Sequence, residues 1–223
     1  MTAKDGSDAH AQKESIIFFG AHNDDPLIGA GGTIARYASQ GKRVQVVIFS
    51  YGTSSHPWLK EKEIKKTRLK EARKADRVLG DFNTLYLGLS EGRFEQEIEG
   101  KKALLKEMID ELKPARIFTH SADDPHPDHR AVNSIISALT AELGYKGEIY
   151  SFDIWNPFNI RQRDRPKLII DITDTFHKKI KALRLHESQW VTLLTMVPAT
   201  WVRAVANGLD NRMKYAEVFA KLR

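Results

Sequence analysis

Short apolar runs alternate with amphipathic stretches along almost the whole chain. Segments 16–19, 44–50, 85–87, 117–119, 149–154 and 168–170 have the length and the β-branched or aromatic content of buried strands. Between them, apolar residues recur at helical spacing. One helix begins at Pro26, runs through Ile34 and Tyr37 and stops near Gly41. A second covers 60–79, with Ile64, Ala72, Ala75 and Leu79 on one face. A third covers 101–112, and a fourth carries Val132, Ile135, Ile136 and Leu139 and ends about Gly144. A fifth, capped by Thr173 or Asp174, presents Phe176, Ile180 and Leu183, with His186 one turn later. Segment 190–201 is apolar without clean periodicity and reads as core, pocket wall or subunit contact. A last short helix is expected to carry Tyr215, Phe219 and Leu222. Strands and helices that alternate in this way predict an α/β fold with parallel strands.

Residues 1–14 are polar and read as a loose tail, which leaves 15–223 as a single domain. The first residues contain no apolar core of a secretion signal and no segment reaches membrane-spanning length, so a cytoplasmic protein without membrane insertion is expected. The chain has no cysteine, so any nucleophile or metal site must use oxygen and nitrogen groups. A net charge of +6 could attract anions, but its densest contributor, 60–77, interleaves Glu61, Glu63, Glu71 and Asp76 among the basic residues. That pattern is a solvated helix face, and no nucleic acid partner is expected. Arg68 is the exception, because it falls on the inward stripe between Ile64 and Ala72. It either forms a structural ion pair or faces substrate.

Two polar clusters follow strands directly. The first is His22, Asn23, Asp24 and Asp25 after 16–19; the second is Asp123 to His129, DDPHPDH, after 116–120. Parallel strand ends converge in space, so the two clusters can share one crevice. His22, Asp25 and His129 make a mixed nitrogen and oxygen set suited to zinc, with one position left for water. Fe2+ or Co2+ would also suit these donors. Asp24 could take the water proton, and His126 could donate to a developing oxyanion or a leaving amine. Asp128 is expected to orient His126. His120, at its strand end, reads as structurally satisfied. The loop 51–58 falls at the same end of the sheet, where His56 and Trp58 border the pocket.

AHNDD followed by GAGGTIARYASQGKRV resembles the opening of the PIG-L and LmbE-like deacetylases. This zinc-dependent family includes N-acetylglucosaminyl-phosphatidylinositol deacetylase and the deacetylases of mycothiol and bacillithiol synthesis. HPDH at 126–129, RLKEARKADRVLG at 68–80, ALRLHESQ at 182–189 and the YAEVF ending at 215–219 are similar to further blocks of that family. The resemblance implies a Rossmann-like three-layer α/β/α sandwich with a mostly parallel sheet. It also implies zinc on His22, Asp25 and His129, Asp24 as the water-activating carboxylate, and assistance from His126 with Asp128. Arg68 would lie near the substrate, an N-acetylated amino sugar or its conjugate, and some family members are homo-oligomers. Two positions depart from the usual Ala-His-Pro-Asp-Asp-Glu: Asn23 stands for the proline and Pro26 for the glutamate.

Two other readings compete with the deacetylase. One is hydrolysis of another amide or ester by the same activated water. The other is a carbohydrate- or metabolite-binding protein in which Pro26 has impaired catalysis. A dinucleotide site is weaker, because Gly29, Gly31 and Gly32 do not supply GxGxxG in its strand-turn-helix context. NAD and ATP are therefore not expected.

Overall fold

The computed structural model describes residues 13–53, 61–154 and 166–223. The expected tail lies almost wholly outside these residues, as do His56 and Trp58. Strand β1 (Ser15–Gly20) is buried along its whole length. It feeds α1 (Asp25–Ser39), then β2 (Arg43–Ile48), α2 (Glu61–Leu79) and the short β3 (Leu85–Tyr86). Two helices follow, α3 (Phe94–Glu97) and α4 (Glu99–Leu112), before β4 (Arg116–His120), α5 (Pro127–Glu142) and β5 (Glu148–Phe152). The last part comprises β6 (Lys167–Asp171), α6 (Phe176–Arg184), a single 3-10 turn at Glu187–Gln189, α7 (Trp190–Asp210) and β7 (Ala216–Lys221).

The seven strands form one sheet in the order β3-β2-β1-β4-β5-β7-β6. Neighbours from β3 to β5 are parallel, and β7 runs antiparallel to both β5 and β6. Alternate residues of β1 build two cores. Ile16 and Phe18 face α1, α2, α6 and α7, whereas Ile17 and Phe19 face α3, α4 and α5. The result is a Rossmann-like α/β/α sandwich. Its strand order reverses between β1 and β4, which opens a crevice at their carboxyl ends.

Close backbone packing explains the glycine-rich start of α1. A Cβ on Gly29 would sit 2.4 Å from the Phe152 ring, and one on Gly32 would sit 2.7 Å from Ile172. Pro26 occupies the first turn of α1, where its missing N–H costs no helical bond.

One expectation changes. The segment around Phe219 is a strand, because Ala216 and Phe219 reach the core from an edge-side ribbon and Glu217 turns inward toward α1. Segment 190–201 belongs to one long helix, α7, whose mixed periodicity reflects an apolar face on its outer side as well as its inner one. No helix among the described residues is long and apolar enough to cross a membrane.

Candidate metal centre

The loop after β1 and the turn before α5 meet at the β1/β4 crevice. Asp25 is the hub. Its Oδ2 accepts the His22 backbone N–H at 2.8 Å and lies 3.3 Å from His22 Nδ1, 3.2 Å from His120 Nε2 and 3.3 Å from His129 Nε2. Behind His129, Asp124 Oδ1 stands 2.9 Å from Nδ1 and also accepts the His126 backbone N–H at 2.9 Å. Nδ1 of His129 lacks a well-aligned hydrogen bond, so its contact with Asp124 is chiefly electrostatic. The second Asp124 oxygen and Nδ1 of His120 are buried with no hydrogen-bond partner among the described residues. A cavity of about 180 Å³ is lined by His22, Asp24, Asp25, His126 and His129 together with Glu91 and Gln189.

The donor chemistry fits a divalent cation. Ligand atoms of His22, Asp25 and His129 lie within 4.8 Å of one another, two nitrogens and a carboxylate oxygen. Overlapping groups, His22 with His126 and Asp128 and His120 with Asp124 and His129, are equally compact. In the second of these, however, His120 Nε2 already accepts the Ala21 N–H at 3.0 Å, which occupies its lone pair.

The electrostatics follow from three imidazoles crowding one carboxylate. Burial alone would raise Asp25, but His129, His120 and His22 hold its carboxyl well below the ordinary range. Burial alone would lower His129, yet Asp25 and Asp124 push it up to about 9. His22 is raised for the same reason, against its own burial, by Asp25 and by hydrogen bonds to Asp128 and Asp25. His120 is lowered to about 4 by burial and by His129, because Asp25 only partly compensates. Asp24 is raised by burial and by the Asp25 charge, against the pull of His22 and His186.

Asp24 sits at the N-cap of α1, where an aspartate usually bonds a backbone N–H, yet its side chain makes no capping bond. His126 is the N-cap of α5, and its Nδ1 accepts the Asp128 N–H at 3.2 Å. The neutral ring therefore carries its proton on Nε2. Asp128 differs from expectation. Spent as a cap, the His126 ring does not bond the Asp128 carboxylate, which accepts Gly92 N–H at 2.8 Å through Oδ1 and lies 3.2 Å from His22 Nε2 through Oδ2. Arg68 is wholly buried and faces the charges of Asp24, Glu71 and Glu91.

Several polar residues of this region take roles that the sequence did not assign. Glu91 Oε1 is 3.5 Å from His22 Nε2, supplied by the loop after β3; its signal was a carboxylate following a parallel strand of the same sheet. Asp124 was visible inside the second cluster but carried no partner in the sequence. Asn23 is buried, hydrogen-bonds Tyr86 Oη and donates to the Arg68 carbonyl at 3.4 Å. A side-chain clasp thus holds the loop at the position where the family's usual residue is proline.

Known proteins resemble this chain to different depths. The uncharacterised deacetylase YaiS of Escherichia coli is 26% identical over 187 residues, which cover 79% of this chain and 92% of YaiS. The diacetylchitobiose deacetylase of Thermococcus kodakarensis is 24% identical over 226 residues, covering 92% and 81% of the two chains. The 4-oxalmesaconate hydratase of Pseudomonas putida is 27% identical over 197 residues, covering 79% and 74%. Among solved structures, N,N'-diacetylchitobiose deacetylase from Pyrococcus horikoshii superimposes with a TM-score of 0.77 at 25% identity, over 94% of this chain and 84% of that one. Residues 17–140, which span β1 to most of α5 and hold both halves of the crevice, match the family described as PIG-L, GlcNAc-PI de-N-acetylase, and the chain belongs to that family.

Proposed function

We propose that this chain is a zinc-dependent deacetylase that hydrolyses the N-acetyl group of an amino sugar or its conjugate. The observation that carries the reading is the convergence of His22, Asp25 and His129 beneath a cavity bordered by an uncapped carboxylate, Asp24, and a neutral imidazole donor, His126. Bound by those three residues, zinc would lower the pKa of a water toward neutrality and polarise the amide carbonyl. Asp24 takes the proton of the attacking water, since its carboxylate is free of capping duty and lines the cavity. His126 donates its Nε2 proton toward the carbonyl oxygen or the departing nitrogen. Asp128 holds His22 and the Gly92 loop, and Asp124 holds His129, so both carboxylates orient ligands. Water is consumed, the C–N bond breaks, and acetate and a free amine leave.

Arg68, His56 and Trp58 are the proposed substrate contacts. A groove of about 470 Å³ between α3 and α5 shares Asp128 and Gly92 with the centre and offers room for the rest of a conjugate. The similarity to deacetylases acting on diacetylchitobiose favours a sugar of this kind.

The hydratase relative supports a second reading, addition of the same activated water to a carbon-carbon double bond. One experiment separates them. Metal-free protein is reconstituted with zinc and given N-acetylglucosamine, diacetylchitobiose and N-acetylglucosaminyl conjugates, or an unsaturated oxo-tricarboxylate, with Asp24→Asn as control. Zinc-dependent acetate release that the substitution abolishes supports the deacetylase. Loss of the conjugated absorbance without acetate release supports the hydratase, and neither product returns the chain to a binding role.

A further inference from the structure

Six of the nine exposed large apolar side chains among the described residues lie on α7: Trp190, Val191, Leu194, Trp201, Val202 and Leu209. At 100° per residue they fall in one arc, which Val197, Pro198 and Val205 complete, so the outer face of this 21-residue helix is continuously apolar over about 30 Å. The helix has two charges. Arg203 turns inward, its Nη1 donating to the Asp153 carbonyl at 2.6 Å, and Asp210 stands at the last turn. A face of this extent marks a contact surface.

We propose that the outer face of α7 packs against the same face of a second copy of this chain, with the two helices antiparallel across a two-fold axis. The area suits such a pair. Six side chains exposing roughly 100–150 Å² each offer on the order of 700 Å² of apolar surface, close to the ~800 Å² per partner of a standard interface. The chemistry suits it as well, because an uncharged face complements itself without requiring any other partner. A lipid surface would be met by Lys or Arg beside the apolar stripe, and α7 presents none outward. The antiparallel direction follows from charge, because parallel helices would place the two Asp210 carboxylates at one end, whereas opposed directions hold them apart. Centred on residue 200, the pairing sets Val191 against Leu209 and Pro198 against Val202, with Trp201 beside the axis. Gln189, the residue before α7, borders the cavity over His22 and Asp24, so the contact begins at the rim of the candidate metal centre.

The chain contains no cysteine, which makes its register directly readable. Sedimentation equilibrium of the full chain at micromolar concentration is expected to give a dimer. Leu194→Glu and, separately, Val202→Glu are each expected to give a monomer with unchanged circular dichroism. Under mild oxidation, Trp201→Cys should cross-link to itself. Leu209→Cys should cross-link only when mixed with Val191→Cys. A wild-type chain that stays monomeric at 100 µM would overturn the proposal, as would a dimer indifferent to both glutamates or self-cross-linking of Leu209→Cys. Binding of a monomeric wild type to phosphatidylcholine vesicles, lost in Leu194→Glu, would overturn it in favour of a lipid surface.

Discussion

Glu217 and Asp25 are both buried carboxylates beside α1, yet their surroundings are opposite. Glu217 Oε1 accepts from Gly32 N at 3.0 Å and Lys179 Nζ at 2.5 Å, while Oε2 accepts from Thr33 N at 2.8 Å and Thr33 Oγ1 at 2.6 Å. Lys179 completes its own set on the Ile28 carbonyl at 2.8 Å. This cluster ties α1, α6 and β7 together and leaves its carboxylate fully bonded. Asp25 instead gathers three imidazoles on one oxygen, and beside it His120 Nδ1 and one Asp124 oxygen lack partners among the described residues. Saturated burial fixes one geometry, whereas unsaturated burial is costly and persists where it serves a site. A cation among these donors would relieve the mutual repulsion of the rings and the crowding of the carboxylate.

The sharpest way to break this contrast is to remove one group from each side. Asp24→Asn is expected to reduce acetate release about 10³-fold with zinc content unchanged. Lys179→Met, which strands Glu217, should cost about 3 kcal/mol or more in urea denaturation. Its zinc content, measured under native conditions, should stay that of the wild type. Asp25→Asn is expected to reverse the pattern, abolishing zinc binding while the metal-free fold loses less than Lys179→Met does.

Asp76 is the intermediate case. It accepts from Thr84 N and Thr84 Oγ1, both at 2.9 Å, but burial outweighs these bonds and raises its carboxyl to about 6. Because the folded value lies above the unfolded one, its contribution is fully present below about pH 4 and is lost as pH rises through about 6. Between pH 4.5 and 7.5, wild type should lose about 2 kcal/mol that Asp76→Asn does not, read as the difference of two urea titrations. The smallest effect belongs to Asn23. Replacing it with alanine should cost about 1 kcal/mol. Tyr86→Phe added to that variant should cost little more, because both remove the same bond.

The β1–α1 unit and the second cluster were legible in the sequence because an apolar run, a polar turn and a proline at a helix start each leave a local mark. The convergence of the clusters was legible only through the parallel-strand rule, which the β1/β4 reversal fulfils. β7 was not legible. Tyr215, Phe219 and Leu222 repeat at helical intervals, and the inward Glu217 interrupts the alternation a strand would show. Its partner, the amino end of Gly32 and Thr33, lies 184 residues away in sequence from Glu217 and leaves no local signal. Glu91 escaped notice because β3 has only two residues and gives little warning that the following loop reaches the crevice. The outer face of α7 obscured its own periodicity, since residues facing outward are as apolar as those facing in.

Zinc titration of the metal-free chain, followed by metal analysis and zinc-edge X-ray absorption, tests the role of the unsaturated cluster most directly. The prediction is a single zinc per chain with two imidazoles and one carboxylate in its coordination sphere, lost in both Asp25→Asn and His129→Ala. Absence of tight zinc binding in the wild type, or unchanged affinity in those variants, would contradict it.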